Sequence, residues 1–134
     1  MTVELLYLDS SAIVKLVARE PETDALVERL RTGADLVSSA LARVEVGRAV
    51  RRAGIPGVDL PRAEAVLDAI ALLRIDEAIL HAAGLMDPPD IRSLDAIHLA
   101  SALSLGEALG ALVTYDAQLA SAARTSGLEV LAPS

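Results

Sequence analysis

The sequence predicts an α/β fold, a three-layer α/β/α sandwich with a short-stranded, mainly parallel central sheet. Three observations predict it. Short apolar segments alternate along the chain with longer helical ones, which is the pattern of strand–helix–strand units. The strand segments are apolar throughout, as strands covered on both faces are. The chain has 134 residues, the usual size of one domain, so we expect residues 1–134 to form a single domain.

The first predicted elements are a strand and two helices. Glu4–Leu8 is a short apolar run, and the Asp-Ser-Ser that follows it is typical of a helix start. The sequence therefore predicts a helix over 11–17. Pro21 opens a second helix over 21–30, and Gly33 lies where a glycine ends a helix.

The middle of the chain is predicted to contain one strand and three helices. Asp35–Ser38 is too short for anything but a strand. A helix over 40–53 ends at the breaker Gly54-Ile55-Pro56-Gly57. A helix over 61–72 opens at a proline, and another over 76–85 stops before two consecutive prolines.

The last third is predicted to begin with a helix over 93–105 that is apolar nearly all round. Such a helix is buried on several sides. Ala111–Thr114 is predicted as a strand, 116–126 as a helix that ends before Gly127, and 128–131 as the last strand.

The composition excludes several classes of protein. Hydrophobic residues make up 53% of the chain, which excludes a disordered protein. No uncharged apolar run reaches the roughly 18 residues that span a bilayer, and Glu4 and Asp9 interrupt the pattern of a signal peptide. We therefore expect a cytoplasmic protein without a membrane segment. Cysteine is absent and there are two histidines, which excludes disulfides and disfavours zinc.

The charge balance restricts the ways in which the protein can bind a partner. The formal net charge is −7, which argues against holding nucleic acid through a broad positive field. An acidic chain is better suited to divalent cations or to a basic partner. Lys15 is the only lysine, so arginine carries nearly all the positive charge.

Four acidic residues are candidates for one site. Asp9 and Asp116 follow predicted strands, and ligands of open α/β sheets bind outside the carboxyl ends of the strands. Glu45 and Asp95 lie on helices that we expect beside those strands. Carboxylates about 5 Å apart repel by roughly 3 kcal/mol per pair at an effective dielectric near 20. A converging cluster therefore needs protons or a divalent cation, and an all-oxygen site favours Mg²⁺ or Mn²⁺.

Three of these acids also have a purely structural interpretation. Asp9 and Asp116 are in positions suited to helix N-caps. Asp95 lies in the first turn of its helix, where the helix dipole favours a carboxylate, and His98 is close enough in sequence to bond it. The sequence alone leaves these interpretations open.

The fourth acid, Glu45, has a structural interpretation as an ion-pair partner of Arg48 or Arg52 on the same helix. It lies, however, at the margin of the apolar face of that helix, where its carboxylate would be half-buried. Asp95 lies in the most apolar helix of the chain. Buried carboxylates require a cation or strong donors, so these two positions favour a site.

Four segments, in order along nearly the whole chain, carry a family resemblance. They are YLDSSAIVKL, SSALARVEVGRA, RSLDAIHLASA and VTYDAQLASAARTSGLEVL. Together they resemble the motifs of PIN-domain endoribonucleases of the VapC toxin type, from bacterial toxin–antitoxin pairs. The third segment is the most specific of the four.

The resemblance implies a metal-dependent ribonuclease with a PIN-like fold. Its catalytic and metal-binding acids fall on Asp9, Glu45, Asp95 and Asp116, with Mg²⁺ or Mn²⁺ as the cofactor. Hydroxyl groups that steady these carboxylates fall on Ser10, Ser39 and Thr114. Metal-activated water would hydrolyse the phosphodiester bond and leave a 5′-phosphate and a 3′-hydroxyl. Glu45 is either the base or a metal ligand, and the sequence does not decide between them.

The resemblance also implies partners. RNA would be held by arginines near the acids, and the candidates are Arg43, Arg48 and Arg92, followed by Arg51 and Arg52. A cognate antitoxin and a homodimer are expected, with the apolar helix 63–72 in an interface or in the core. His98 is interpreted as a helix residue that hydrogen-bonds locally. Asp87 and Asp90 are interpreted as solvated loop residues, with a place at the metal rim as the alternative.

Other functions remain as alternatives. A PIN-domain nuclease that acts in RNA processing without an antitoxin fits the same residues, and so does a non-catalytic PIN-like binding module. A Mg²⁺ phosphatase needs a second aspartate soon after the first, and the segment following Asp9 lacks one. A phospho-receiver domain needs a late lysine, which is also missing.

Overall fold

The computed structural model of the chain describes residues 3–54 and 60–134, with a five-stranded sheet at its centre. The strands are β1 Leu5–Leu8, β2 Asp35–Ser39, β3 Ala71–Leu73, β4 Ala111–Val113 and β5 Val130–Leu131. Their order across the sheet is β3-β2-β1-β4-β5. All four pairings are parallel.

Seven α-helices surround this sheet within the described residues. They are α1 Ser10–Val17, α2 Thr23–Leu30, α3 Ala42–Ala53, α4 Leu60–Asp68, α5 Glu77–Gly84, α6 Ser93–Leu103 and α7 Ala117–Thr125. Each predicted helix is present, with its ends shifted by a few residues. The predicted breaker after α3 begins as expected, because Gly54 ends the helix in the left-handed conformation with φ 56°. Its other residues, 55–57, lie outside the described residues.

Different helices cover the two faces of the sheet. Along β1, Leu6 and Leu8 belong to one core cluster and Tyr7 to the other, and all three are fully buried. The first cluster joins Leu6 and Leu8 to buried side chains of α1, α2, α3 and α4. The second joins Tyr7 to α6 and α7. The predicted three-layer α/β/α architecture with a parallel sheet is confirmed.

The end of the helix predicted over 61–72 was wrong. α4 ends at Asp68, and the following residues form the edge strand β3, in which Ala71 lies opposite Val37 of β2. Buried residues recur at helical spacing across this boundary: Ala63, Leu67 and Ile70. Because of that spacing, the sequence pattern continues to look helical beyond Asp68. Residues 71–73 form a strand because they pair with β2, and this tertiary contact is not visible in the local sequence. The apolar face of α4 lies in the core.

The strand order creates a switch point between β1 and β4. The chain moves from β1 outward to β2 and β3, and then crosses to β4 on the other side of β1. A helix that follows a parallel strand starts at the carboxyl edge of the sheet and runs back, so α1, α3 and α7 begin at that edge. Ligands bind at such switch points. No helix of the described residues is long and apolar enough to cross a membrane.

Candidate functional site

The four predicted acids line one pocket of about 330 Å³, where β1 and β4 end. They are Asp9, Glu45, Asp95 and Asp116. Two of them are N-caps, of α1 and α7, and two lie in the first turns of α3 and α6. Four helix N-termini therefore carry the four carboxylates. The positive end of a helix dipole stabilises a nearby negative charge by about 0.3–1 kcal/mol, which offsets part of the repulsion between them.

Asp9 is the most deeply buried of the four acids, with 4% of its surface exposed. Its Oδ1 accepts hydrogen bonds from the Ala12 N–H at 3.0 Å and the Ser11 hydroxyl at 2.7 Å, and its Oδ2 accepts one from the Thr114 hydroxyl at 2.6 Å. Burial raises the pKa of Asp9, and the three hydrogen bonds only partly oppose it. Within the described residues Asp9 makes no ion pair.

Glu45, on α3, is bonded by a residue of α6, the helix that packs on the opposite face of the sheet. His98 Nε2 lies 2.6 Å from Glu45 Oε1, and the Ser10 hydroxyl donates to the same oxygen at 2.5 Å. Since a carboxylate only accepts, a neutral His98 donates from Nε2, and its Nδ1 accepts from the Tyr7 hydroxyl at 2.8 Å. Burial alone would raise the pKa of Glu45, but the bonds from His98 and Ser10 outweigh it and hold that pKa below its ordinary value.

Arg92 joins the other two acids. Its Nη2 lies 3.1 Å from Asp95 Oδ2 and 2.6 Å from Asp116 Oδ2. Asp116 Oδ1 meanwhile caps α7 by accepting from the Leu119 N–H at 2.9 Å. Burial and the neighbouring charge of Asp116 raise the pKa of Asp95, and Arg92 opposes them. The Arg92 side chain is 63% exposed, so this pairing lies at the mouth of the pocket.

The structure fully confirms the structural interpretation for two of the four acids and not for the other two. Asp9 and Asp116 do cap their helices, and the same side chains line the pocket. Asp95 is bonded by Arg92, and its expected bond to His98 is not formed within the described residues. Glu45 pairs with His98 instead of Arg48 or Arg52. Capping and a place in the pocket are therefore compatible for one carboxylate.

Two of the three predicted hydroxyl groups contact the acids. Thr114 donates to Asp9 and Ser10 donates to Glu45. Ser39 Oγ accepts from the Leu41 N–H at 3.1 Å, at the start of α3, and bonds no carboxylate among the described residues.

Sequence reasoning missed two contacts. Ser11 bonds Asp9 and accepts from the Tyr115 N–H at 2.9 Å; its place two residues after a capping aspartate was the available signal. His98 bonds Glu45 and Tyr7 across two elements, and it was interpreted as bonding only locally. No local pattern predicts a partner 53 residues away.

The other predicted residues lie in different surroundings. Arg43 pairs with Asp68 at 3.5 Å, away from the acids. Arg48 is exposed and makes no ion pair within the described residues. Asp87 and Asp90 are exposed and do not line the acid pocket. Of the five arginines predicted to hold RNA, Arg92 alone lines that pocket.

The candidate ligand groups in the pocket are of the chemical type that binds a hard divalent cation. The four candidate ligands are carboxylates, which Mg²⁺ and Mn²⁺ prefer. In the described part of the chain the buried Asp9 makes no ion pair, while Asp95 and Asp116 share Arg92. In the side-chain positions described, however, no three carboxylate or imidazole groups are close enough to share one ion. Binding an ion would therefore require side-chain movement, above all of the exposed Arg92.

Comparison with known proteins identifies the family. The model of the PIN domain matches residues 6–125. Ribonuclease VapC46 of Mycobacterium tuberculosis (strain ATCC 25618 / H37Rv) is 53% identical over 136 residues, which covers 96% of this chain and 98% of the relative. The chain belongs to the VapC family of PIN-domain proteins. Ribonuclease VapC35 of the same strain is 44% identical over 133 residues, with 96% of this chain and 97% of the relative covered.

Solved VapC structures share the fold at low sequence identity. The crystal structure of VapC20 of Mycobacterium tuberculosis, described as a toxin that cleaves the sarcin–ricin loop, has a TM-score of 0.69 at 14% identity and covers 96% of this chain and 99% of its own. A toxin–antitoxin complex from Klebsiella pneumoniae has a TM-score of 0.67 at 18% identity, covering 96% and 98%. At these identities the likeness supports the VapC fold alone.

Proposed function

We propose that this VapC protein is a metal-dependent endoribonuclease and the toxin of a type II toxin–antitoxin module. The observation that carries the proposal is the pocket at the switch point of the sheet, which all four family acids line. The relatives named as VapC ribonucleases, at 53% and 44% identity over nearly the full chain, support the activity. Solved neighbours described as toxin–antitoxin complexes support the module.

Asp9, Asp95 and Asp116 would hold the ion, which is Mg²⁺ or Mn²⁺. When bound, such an ion orients the scissile phosphate, lowers the pKa of the attacking water and stabilises the leaving oxygen. Three hydrogen bonds fix Asp9 before any ion arrives. Products would carry a 5′-phosphate and a 3′-hydroxyl. The hydroxyl groups of Ser10 and Thr114 steady the carboxylates that they bond.

Glu45 is better suited to be a ligand than a general base. Both of its hydrogen bonds, from His98 and Ser10, end on Oε1, which leaves Oε2 without a hydrogen bond among the described residues. These bonds keep the pKa of Glu45 below its ordinary value. A general base works best with a pKa near the working pH. The Glu45 carboxylate therefore stays ionised, and its Oε2 would be available to a cation.

The proposal includes protein partners and a location. Large apolar side chains are exposed beside two of the acids, Val44 next to Glu45 at 59% and Leu94 next to Asp95 at 47%. Leu94 also lines the acid pocket, where an exposed apolar side chain is accessible to a protein partner, and we propose a cognate antitoxin and a homodimer as the partners. The site of action would be the cytoplasm, where the RNA substrate is found.

The test is cleavage of RNA by the purified protein with Mg²⁺ or Mn²⁺. EDTA should stop cleavage, and Asp9→Asn should abolish it. Asp76→Asn is the matched control, because Asp76 caps α5 in the same way, accepting from the Ile79 N–H at 2.9 Å, but lies outside the pocket. Equal cleavage by the wild type and Asp9→Asn would overturn the assignment.

A second experiment separates the toxin from the alternatives. Expression in a bacterial host should arrest growth, and Asp95→Asn should relieve the arrest. Cleavage without growth arrest would favour a PIN-domain nuclease of RNA processing that needs no antitoxin. No cleavage under any metal condition would favour a non-catalytic binding module.

A further inference from the structure

Some basic side chains of this acidic protein are paired with carboxylates, and others are not. Of its twelve basic residues, Lys15 and the arginines at 19, 29, 31, 43 and 92 make ion pairs. Within the described residues, the arginines that make no ion pair within 4 Å are Arg48, Arg51, Arg52, Arg74 and Arg124. Three of these five lie close together on the second half of α3.

These three side chains, Arg48, Arg51 and Arg52, form what we call the α3 arginine cluster. All three are exposed, and they line a surface pocket of about 330 Å³. Three guanidinium groups side by side repel one another, and nearby acids would reduce that repulsion. Within the described residues none of the three makes an ion pair within 4 Å, and Glu45 is bonded to His98 instead, so we take the charge of the cluster as available to an anionic partner.

Helix geometry connects the cluster to the acid pocket. Arg48 and Arg52 follow Glu45 by three and seven residues, which places them on the same side of α3 as Glu45. Glu45 lies at the border between these arginines and the buried residues of α3, which are Ala42, Val46 and Val50. Arg48 lies about 4.5 Å and Arg52 about 10.5 Å beyond Glu45 along the helix axis, at 1.5 Å per residue. The cluster therefore continues the pocket in one direction.

We propose that the α3 arginine cluster binds the phosphate backbone of single-stranded RNA on one side of the bond that is cut. The inference rests on the proposed function, because it takes the acid pocket as the place of cleavage. Arginine binds phosphate through paired N–H donors, and single-strand sites combine such charge with a groove that follows the backbone. At about 3.4 Å per stacked nucleotide, a reach of about 10.5 Å corresponds to roughly three nucleotides.

The structure also explains why other arginines do not share this role. Arg43 lies on a different side of α3 and is paired with Asp68. Arg92 is already held by Asp95 and Asp116 inside the pocket. The cluster therefore contacts RNA beyond the reacting phosphate and sets how strongly a strand is held, while the acids act on the bond.

The first test measures RNA binding as a function of salt. A fluorescently labelled single-stranded RNA of twelve nucleotides is titrated with Asp9→Asn protein in EDTA, with and without Arg48→Gln, Arg51→Gln and Arg52→Gln. Each phosphate contact contributes about 0.7 to the slope of log affinity against log salt. The triple variant should lower the magnitude of that slope by about 2.

A matched control removes the same charge elsewhere. Arg31→Gln, Arg74→Gln and Arg124→Gln together change the net charge equally and affect exposed residues outside the cluster. The slope should then stay within about 0.5 of the parent value, since none of the three phosphate contacts is lost. Circular dichroism melting of all variants checks that each is folded. An equal fall in slope for both triple variants overturns the proposal, and so does the absence of any salt-dependent RNA binding by the parent protein.

The second test asks whether binding is one-sided. RNA substrates with a mapped cut are shortened from the 5′ end or from the 3′ end, and KM is measured with the active protein. Shortening one side by three nucleotides should raise KM, and the triple variant should abolish that dependence. An equal rise from both ends overturns the proposal.

The outcomes separate this inference from the proposed function. If RNA binding depends on salt and on the cluster but the wild type does not cleave RNA, the α3 arginine cluster is confirmed as an RNA-binding surface and the proposed ribonuclease activity is refuted. If the wild type cleaves RNA but the triple variant keeps the same slope of log affinity against log salt, RNA binding by the cluster is refuted and the ribonuclease activity is confirmed. A triple variant that binds RNA normally but loses its antitoxin assigns the cluster to a protein partner, which also overturns the proposal.

Discussion

His98 Nε2 lies 2.6 Å from Glu45 Oε1 and joins α6 to α3 across the carboxyl edge of the sheet. The His98 side chain is 2% exposed, and the Tyr7 hydroxyl fixes its other nitrogen at 2.8 Å. A buried imidazole with both nitrogens engaged has one orientation. The orientation of Glu45 is therefore set by a residue of α6 and, behind it, a residue of β1.

His98→Leu should lower RNA cleavage at least tenfold, while His98→Gln should keep most of it. Leucine leaves the half-buried Glu45 without its main donor, which costs about 1–3 kcal/mol, whereas the glutamine amide can donate from nearly the same position. The measurement is kcat and KM with Mg²⁺ for both variants. Equal losses for both would contradict the explanation that His98 acts through its hydrogen bond to Glu45.

Asp9→Asn should raise the stability of the metal-free protein at pH 7 while it abolishes cleavage. Burial holds the pKa of Asp9 above its ordinary value of 3.8, so the folded state disfavours the charged form. The stability that protonated Asp9 provides is complete below that ordinary value and is lost as the pH rises through the raised pKa. Asparagine carries no charge and still caps α1.

Melting temperatures in EDTA between pH 3.5 and pH 7 test this sign. The difference between Asp9→Asn and the wild type should be largest at pH 7 and shrink toward pH 3.5. Asp76→Asn, at an exposed cap of α5, is measured in parallel as the control for exchanging a capping carboxylate for an amide. A lower melting temperature for Asp9→Asn at pH 7 would contradict the explanation.

Local patterns predicted most of the fold because the strands are short, apolar and followed directly by helix-start residues. Asp9 and Asp116 illustrate this: each lies between a strand and the helix that it caps, so one sequence feature places both at the carboxyl edge. The strand Ala71–Leu73 was missed because its formation depends on β2. Nothing within the segment itself distinguishes it from the end of α4.

Local patterns placed Asp9 and Asp116 at one edge of the sheet, whereas the grouping of all four acids was implied by the family resemblance alone. Glu45 and Asp95 were expected only on helices beside those strands, and the structure shows that both line the pocket with Asp9. The partners that orient them, His98 and Arg92, depend on side-chain positions across elements. Sequence spacing predicts which residues share an edge, and it does not predict how they bond there.

Arg92→Gln should increase the affinity for Mn²⁺ several-fold. The Arg92 guanidinium lies on Asp95 and Asp116, where it competes with any other cation, and an exposed ion pair of this kind contributes on the order of 1 kcal/mol or less. Isothermal titration with Mn²⁺ in the absence of RNA measures the affinity directly. Arg74→Gln, which removes the same charge outside the pocket, should leave it unchanged. Weaker Mn²⁺ binding by Arg92→Gln would show that the arginine supports the ion.

Thr114→Val should destabilise the protein by about 1–3 kcal/mol and lower cleavage. The Thr114 hydroxyl donates to Asp9 Oδ2 at 2.6 Å and accepts from the Asp116 N–H at 3.1 Å, so one buried group supports two of the acids. Valine keeps the shape of the side chain but leaves both polar groups without this partner. The Asp9 pKa should rise further, because the bond from Thr114 lowers it.

Thr114→Ser separates the hydroxyl from the packing around it. Serine keeps the donor and loses one methyl group, which costs roughly 1 kcal/mol in a buried position, so cleavage should recover while stability stays below that of the wild type. Urea unfolding and kcat with Mn²⁺, measured on both variants, test the two effects independently. If serine reduced kcat as much as valine does, the hydroxyl alone would not be sufficient to position Asp9, and the explanation by the hydrogen bond would be wrong.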